Sequence, residues 1–179
     1  MRSRGVVAVG RRVVIRAPSA RDRDEFLALA RASRAFLRPW VAPPADRAAF
    51  AAYLRRARRP TERGFLVCRR LDGAIVGVIN VSQISLGNFR NAYLGYYAGA
   101  AFAGRGYMSE GLRLAVRHSF GRLGLHRLEA NIQPGNRASI RLVRRGGFTR
   151  EGFSRRYLKI FGRWRDHERW AVTAERFRR

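Results

Sequence analysis

Ala103-Gly104-Arg105-Gly106-Tyr107-Met108-Ser109-Glu110-Gly111 lies between a strand-like run, residues 93–97, and a helical pattern that extends from residue 107 to about 123. A glycine-rich turn that opens a helix presents backbone N–H groups that have no intrahelical partner, at the positive end of the helix dipole. Such a turn is suited to bind a phosphate or pyrophosphate. The stretch therefore predicts an anion site formed largely by the backbone.

Length and composition restrict the class of protein. At 179 residues the chain is long enough for one compact domain, and we expect residues 1–179 to form a single domain. The only cysteine, Cys68, excludes an internal disulfide and a CxxC zinc pair, and no His, Asp and Cys cluster suggests a metal. The apolar run at residues 6–9 is too short for a signal-peptide core or a membrane span. We expect a cytoplasmic protein.

The charge is strongly positive, with 38 basic against 12 acidic residues and a net charge of +26. Such a surface attracts nucleic acid or another polyanion, with strong salt dependence. Lys159 is the only lysine, however, and near-total use of arginine is typical of a GC-rich genome. Two explanations stay open: compositional drift, and association with RNA or the ribosome. The cluster Arg55, Arg56, Arg58 and Arg59 is accordingly either an RNA-binding face or a solvated helix face.

Hydrophobic periodicity predicts seven strands and four helices in the order β-α-α-β-β-β-α-β-α-β-β. The strands cover residues 12–16, 65–68, 75–84, 93–97, 128–132, about 153–160 and 165–173. One helix lies between a Ser19 cap and Pro39, one over residues 46–57, one over 107–123 and one between an Asn136 cap and Gly146. This order predicts an α/β fold with a mixed sheet, parallel only where a helix crosses between residues 93–97 and 128–132.

Three blocks of sequence carry a family resemblance. They are Gly95-Tyr96-Tyr97 leading into the turn at 104–108, Glu129-Ala130-Asn131 through Asn136-Arg137-Ala138-Ser139 to Gly147-Phe148, and Gly162-Arg163-Trp164-Arg165-Asp166. Together they resemble the GNAT superfamily of acyl-CoA-dependent N-acyltransferases, and within it the RimJ/RimL type that acetylates the N-terminal alanine of ribosomal proteins. The resemblance implies the GNAT fold, in which the strands at 93–98 and 128–132 splay apart.

The resemblance also implies acetyl-CoA as cosubstrate, with its pyrophosphate on the turn and its pantetheine arm between the splayed strands. The implied contacts are Tyr96, Tyr97, Ala98, Gly104, Arg105, Gly106, Tyr107, Met108, Ser109, Asn131, Asn136 and Ser139. The family's loop pattern is Gln/Arg-x-x-Gly-x-Gly/Ala, and here Ala103, Gly106 and Met108 occupy its defining positions. Since Ala103 lacks a polar side chain, Arg105 is either a compensating phosphate ligand or one more solvated arginine.

Two other phosphate-binding folds do not fit this turn. A GxGxxG dinucleotide turn needs glycine at Ser109, and the repeated βαβ units of that fold are missing from the predicted order. A P-loop needs Gly-Lys-Ser/Thr, which the sequence lacks.

The resemblance implies catalytic roles for only some of the residues. In a RimL-type relative the serine that matches Ser139 is proposed to protonate the departing CoA thiolate, and a hydroxyl placed there lowers the charge on sulfur. The glutamate of that proposal corresponds to Leu158, so the role of base cannot be transferred. Glu129 is the candidate base, directly or through water, with an ion pair to an arginine as the alternative. Asp166 and His167 are expected to fix strand geometry. An α-amino group with a pKa near 8 needs little help from a base.

We therefore predict an acetyltransferase that moves acetyl from acetyl-CoA to a primary amine by direct attack in a ternary complex. The favoured acceptor is the N-terminal α-amino group of a ribosomal or other protein, because a net charge of +26 disfavours polycationic small substrates. One alternative is a small-molecule or antibiotic amine N-acetyltransferase. Another is a weakly catalytic protein that binds acyl-CoA or RNA. Monomer and homodimer remain equally open.

Overall fold

The computed structural model describes residues 5–178, and their strands form one mixed eight-stranded sheet. The strands are β1 (Val6–Val9), β2 (Val13–Arg16), β3 (Arg63–Arg69), β4 (Ile75–Ser85), β5 (Asn91–Ala98), β6 (Arg127–Ile132), β7 (Thr149–Ile160) and β8 (Arg163–Thr173). Their order across the sheet is β1-β2-β3-β4-β5-β6-β8-β7. Only β5 and β6 pair in parallel, as predicted from the crossover helix between them.

Six α-helices accompany the sheet within the described residues. They are α1 (Arg23–Ala32), α2 (Arg34–Leu37), α3 (Arg47–Ala57), α4 (Tyr107–Gly121), α5 (Arg137–Arg145) and α6 (Ala174–Arg178), with 3-10 turns at Ala20–Asp22 and Ala100–Phe102. Two of them begin at a side-chain cap: Asp46 accepts a hydrogen bond from Ala49 N–H at 2.8 Å, and Asn136 accepts one from Ser139 N–H at 3.1 Å. The predicted Asn136 cap is confirmed. Among the described residues, no helix has both the length and the hydropathy needed to span a membrane.

The structure corrects the predicted elements in three places. The run Val6–Val9 is a short outer strand beside β2. It was not predicted, because its four consecutive apolar residues do not alternate with polar ones. The single helix expected between Ser19 and Pro39 is interrupted at Ser33, where α1 ends and α2 begins. The chain also adds the short helix α6 after β8. The remaining strands and helices follow the predicted order.

Helices cover the sheet on two sides and create two buried clusters. On one side α1–α3 pack with Phe26 and Phe50, whose ring centroids lie 4.9 Å apart, against Leu66 and Val78. On the other side α4 and α5 contribute Leu112, Ala115 and Val143 to the larger cluster. These residues recur at helical spacing, so each helix buries one apolar stripe on the sheet. The two layers pack on both faces of the central strands.

The parallel strands β5 and β6 part after three residue pairs. The paired positions are Asn91 with Arg127, Ala92 with Leu128 and Tyr93 with Glu129, and the ladder then stops although both strands continue. Over the same length β5 stays paired with β4, out to Gly77 opposite Ala98. The edge of β5 from Leu94 onward therefore faces a gap instead of a strand. This confirms the predicted splay.

Candidate active site

The glycine turn before α4 has the geometry of an anion site. Gly104 and Gly106 have φ of +73° and +79°, in the left-handed region where glycine is favoured. Among the described residues, the backbone N–H groups from Gly104 to Ser109 donate to no acceptor, and the first that does is Glu110, to Gly106 O at 3.3 Å. Consecutive unpaired N–H groups at the positive end of a 15-residue helix bind phosphate.

Arg12, from the turn between β1 and β2, lies against this loop. Its Nη1 donates to the carbonyl of Arg105 at 3.2 Å, and its guanidinium carbon lies 5.2 Å from the centre of the Tyr107 ring. A Cβ added at Gly106 would be 2.7 Å from Arg12 Nη2. The sequence analysis missed this residue, because 93 positions separate Arg12 from Arg105 and nothing in the sequence marks one arginine among so many.

Glu110 fastens the start of α4 to the same turn. Its Oε1 accepts hydrogen bonds from the N–H groups of Arg12 and Val13, at 2.8 and 3.4 Å, and its Oε2 lies 3.5 Å from Arg12 Nε. Partial burial opposes ionisation of this carboxyl, yet the hydrogen bonds prevail and lower the pKa of Glu110 below its ordinary value. An ionised Glu110 therefore joins β2 to the first turn of the helix behind the loop.

The other residues of the loop take different positions. Arg105 is exposed, and its guanidinium makes no hydrogen bond or ion pair among the described residues, so it is free to meet a ligand. The Met108 side chain packs against Gly77 of β4, where a Cβ would collide with its sulfur. Tyr107 lies beside Phe102, with ring centroids 6.4 Å apart. Ser109 is half-buried in the first turn of α4.

Tyr96 and Ser139 meet beside the gap. The Tyr96 side chain extends from β5 toward α5, and its hydroxyl oxygen lies 2.6 Å from Ser139 Oγ and 3.3 Å from the Ser139 carbonyl. Asn136 fixes the serine by accepting its N–H at 3.1 Å. Burial raises the pKa of the Tyr96 phenol, and the hydrogen bond with Ser139 only partly opposes this. The phenol is therefore protonated at neutral pH and available as a donor to Ser139 Oγ.

The predicted contacts on the strands occupy both faces of the sheet. The Tyr97 side chain is buried on the α1–α3 side, opposite to Tyr96, so only the backbone of Tyr97 borders the gap. Ala98 is the last residue of β5. Asn131 lies on β6, where its buried Oδ1 has no hydrogen-bond partner among the described residues. The structure thus brings Tyr96, Ser139 and Asn136 together and places Asn131 on the opposite wall of the gap.

Glu129 lies at the closed end of the gap, at the last paired position of β5 and β6. Its Oε1 accepts from Arg127 Nε at 2.8 Å and from Asn91 Nδ2 at 3.4 Å. Arg127 is also bound to the carboxylate of Glu151 on β7. The ion pair that the sequence analysis gave as an alternative is therefore present, and the role of Glu129 as a base stays a prediction.

The residues of the β7–β8 hairpin fix its backbone. The two strands are joined by Phe161-Gly162, both at positive φ, as a two-residue hairpin turn requires. Asp166 Oδ1 accepts from Arg156 N–H at 2.8 Å, and the buried His167 places Nδ1 3.0 Å from the carbonyl of Arg165. The expectation that Asp166 and His167 shape the strand is supported by both contacts. Leu158, which stands where the relative has glutamate, is exposed.

The segment from α1 to α2 connects the open ends of the two diverging strands. Ser33 Oγ accepts from the N–H of Ala100, just after β5, at 2.9 Å. Gln133, just after β6, donates from Nε2 to the carbonyl of Pro39 at 3.4 Å. Beside Pro39 a cavity of about 380 Å³ opens between α2 and the β7–β8 hairpin. The gap therefore has the anion loop near one end of β5 and a cavity next to the end of β6.

Comparison with known proteins gives the same fold and a shared sequence pattern. Residues 12–149 match the family described as Acetyltransferase (GNAT) domain. YjcK, a probable N-acetyltransferase of Bacillus subtilis (strain 168), is 32% identical over 171 residues, which cover 91% of this chain and 94% of that protein.

A ribosomal-protein acetyltransferase and a solved RimJ structure are also similar. The ribosomal protein uS5-alanine N-acetyltransferase of Escherichia coli (strain K12) is 42% identical over 99 residues, which cover 55% of this chain and 51% of that protein. Among solved structures, Mycobacterium smegmatis RimJ in complex with CoA-disulfide has a TM-score of 0.84 and 28% identity, covering 91% of this chain and 82% of that one. The alignment with the Escherichia coli enzyme thus spans about half of each protein.

Proposed function

Since the chain belongs to the acetyltransferase (GNAT) family, we propose that this acetyl-CoA-dependent N-acetyltransferase acts on the N-terminal α-amino group of a protein, with a ribosomal protein as the first candidate. The observation that supports acetyl-CoA as donor is the run of unpaired N–H groups from Gly104 to Ser109, directly beside a strand whose edge is free. The similarity to the uS5-alanine enzyme supports the acceptor.

The donor site divides into two parts with different chemistry. The loop N–H groups, with Arg105 in reach, would hold the pyrophosphate through charge-assisted hydrogen bonds. The free edge of β5 at Tyr96, Tyr97 and Ala98 would bind the pantetheine amides as an added strand does. A ligand held at both ends presents its thioester in the gap between β5 and β6. Orientation of this kind supplies a large share of the rate in a direct transfer between two bound substrates.

Ser139 and Tyr96 would serve the leaving sulfur. The neutral amine attacks the thioester carbonyl carbon and the C–S bond breaks. The nitrogen releases one proton to water, and the CoA thiolate gains one proton. Ser139 Oγ, held by its cap and by the Tyr96 hydroxyl 2.6 Å away, is placed to donate that proton when the phenol is the donor of their hydrogen bond, and the serine regains a proton from water. Backbone N–H groups on the free edge of β5 would stabilise the negative charge that develops on the carbonyl oxygen.

The acceptor side requires less of the protein. An α-amino group titrates near pH 8, so a useful fraction is already neutral at physiological pH. The amine would approach from the α1–α3 side, where the cavity beside Pro39 opens, while Ser139 lies on the side of α4 and α5. The amine and the Ser139 hydroxyl then reach the thioester from opposite faces of the sheet. This arrangement fits direct transfer in a ternary complex.

The basic surface supports a substrate that is bound to the ribosome. Arg55, Arg56, Arg58 and Arg59 are all exposed at the end of α3, and none forms an ion pair within residues 5–178. Such a face would be attracted to ribosomal RNA, with an affinity that falls steeply as salt rises. A salt-insensitive association with ribosomes would contradict this part of the proposal.

Product mapping tests the proposed acceptor. The enzyme is incubated with acetyl-CoA and, separately, with short peptides that carry a free N-terminus, with the same peptides blocked at the N-terminus, and with small amines such as spermidine. We expect acetylation of free peptides at the α-amino group, identified by mass spectrometry. Turnover of small amines alone would establish the small-molecule alternative. Saturable acetyl-CoA binding without turnover of any amine would favour the weakly catalytic binding protein.

A further inference from the structure

The cavity between α2 and the β7–β8 hairpin is lined by apolar residues and two arginines. Its lining consists of Ala35, Arg38, Pro39, Ile160, Phe161 and Arg165. No acidic side chain is among them. Its volume of about 380 Å³ is at the lower end of the range of ligand pockets.

The two arginines of this lining have no carboxylate partner within the described residues. No ion pair or side-chain hydrogen bond involves the guanidinium of Arg38 or Arg165, and both residues are exposed. The nearest acid in sequence, Asp166, is engaged elsewhere, because its Oδ1 accepts from Arg156 N–H at 2.8 Å. The chain has many exposed arginines, but these two line the same concave space. The guanidinium group of arginine matches the geometry of a carboxylate and binds it through charge-assisted hydrogen bonds.

The cavity lies next to the segment that follows β6. Pro39, one of its lining residues, receives the hydrogen bond from Gln133, which directly follows β6. Trp40, the next residue, is close to Gly135, where a Cβ would lie 3.4 Å from the indole. A peptide whose amino end lies in the gap beside the end of β6 would have this cavity close to its next residues.

We propose that Arg38 and Arg165 select acceptors with acidic side chains in the first few residues after the N-terminus. This inference rests on the proposed function and specifies the substrate of the same site. The acidic side chains pair with the two guanidinium groups, while the peptide backbone and apolar side chains contact Pro39 and Phe161. A polyamine is rejected by the same arginines, because like charges in a cleft repel. The cavity thus separates acidic protein N-termini from cationic amines.

Three matched peptides test the proposal. All three begin with alanine and are identical except at the second and third positions, which are both Glu, both Gln or both Lys. We expect kcat/KM to fall about tenfold from Glu to Gln and further to Lys, mainly through KM, since charge-assisted pairs act on binding. In Arg38→Gln and Arg165→Gln the preference should shrink severalfold, and the double charge reversal Arg38→Glu/Arg165→Glu should favour the Lys peptide. Arg163→Gln, an exposed arginine on the same strand that does not line the cavity, should keep the wild-type preference.

A binding measurement separates this inference from the proposed function. Fluorescence anisotropy with the N-acetylated forms of the three peptides reports on the cavity without turnover. If no peptide is acetylated but the Glu form still binds best through Arg38 and Arg165, the proposed acceptor fails and the acidic selectivity stands. Equal binding of all three peptides overturns the inference. The inference is also overturned if a short RNA oligonucleotide binds tightly through both arginines and the rate of acetylation does not change with the charge of the peptide.

Discussion

The hydroxyl oxygens of Tyr96 and Ser139 lie 2.6 Å apart at the edge of the gap between β5 and β6. The tyrosine comes from the strand that leads into the anion loop, and the serine from the first turn of α5, 43 residues later. The pair therefore joins the two walls of the site on the α4–α5 side. Its geometry suggests a short proton path that ends at the leaving sulfur.

Replacement of Ser139 by alanine should slow the chemical step. We expect kcat to fall about 10- to 100-fold, near the lower end of general acid catalysis, because a thiolate is a moderately good leaving group. The KM for acetyl-CoA should change little, since the loop contacts remain. Steady-state kinetics with a peptide acceptor measures both constants. Tyr96→Phe removes the hydroxyl that is hydrogen-bonded to Ser139 Oγ and should give a smaller loss of kcat. An unchanged kcat in Ser139→Ala would exclude the serine as proton donor.

A side chain at Gly106 should impair acetyl-CoA binding more than one at Gly104. Both glycines have positive φ, so alanine at either site costs about 1–2 kcal/mol of backbone strain. Only at Gly106 does the new Cβ also meet Arg12 Nη2 at 2.7 Å, while nothing lies within 4 Å of a Cβ at Gly104. Calorimetric titration with acetyl-CoA compares the two variants. Equal weakening in both would mean that the contact with Arg12 does not matter.

The contact between Arg12 and Glu110 should strengthen binding of the nucleotide part of acetyl-CoA and leave binding of the pantetheine part unchanged. We expect Arg12→Gln and Glu110→Gln each to raise the KM for acetyl-CoA severalfold, because a loosened loop holds the pyrophosphate less well. The KM for acetyl-pantetheine, which lacks the pyrophosphate, should stay near the wild-type value. Arg11→Gln, an exposed neighbour without a contact to the loop among the described residues, serves as the control. A parallel rise for both donors would contradict a role confined to the loop.

The contact between Glu110 and Arg12 should also make the stability of the fold depend on pH, and the direction of this dependence follows from the pKa of Glu110. The pKa of Glu110 is lowered in the folded state, so the carboxylate stabilises the fold fully above its unfolded pKa of about 4.3. That stabilisation is lost as the pH falls through the lower, folded-state pKa. The difference in Tm between wild type and Glu110→Gln should therefore be largest above about pH 5 and vanish in strong acid. A difference independent of pH would mean that ionisation of Glu110 contributes nothing.

The pH profile of the reaction should follow the amine of the acceptor. With a peptide acceptor, kcat/KM should rise with pH and level off near pH 8, where the α-amino group becomes neutral. Burial keeps the pKa of Tyr96 above its ordinary value, so the phenol should cause no loss of activity up to about pH 9. Initial rates between pH 6 and 9 test this. If kcat/KM instead rises at a pH well below the pKa of the peptide amine, a group of the protein accepts the proton of that amine.

Glu129→Gln separates the two roles considered for this carboxylate. If Glu129 accepts the amine proton, kcat should fall about 100-fold and the pH profile should change. If it serves only the network with Arg127 and Asn91, kcat should stay within a few-fold and Tm should fall. Its contacts, 2.8 Å to Arg127 Nε and 3.4 Å to Asn91 Nδ2, favour the second outcome. Thermal unfolding together with steady-state kinetics measures both effects.

The sequence predicted those features that depend on neighbouring residues. The order of strands 12–16 through 165–173, the Asn136 cap and the helix that begins at Tyr107 all follow from local periodicity and capping chemistry. The outer strand Val6–Val9 and the break at Ser33 were missed. The strand forms by pairing with β2, which follows after a short turn, and its unalternating apolar run gave no sign of this. Ser33 meets a partner far along the chain, the N–H of Ala100, 67 residues away.

The sequence by itself determined that a glycine turn before a helix can hold an anion, because φ above zero and free N–H groups follow from residue type and position. Only the tertiary structure decided which arginine touches that turn, because Arg12 meets Arg105 through sheet pairing and helix packing. It also decided that Tyr96 reaches Ser139, that Glu129 is bound to Arg127, and that Arg38 and Arg165 share one cavity. Distances between side chains on separate elements are set by the packing of the whole core, and no local pattern encodes them.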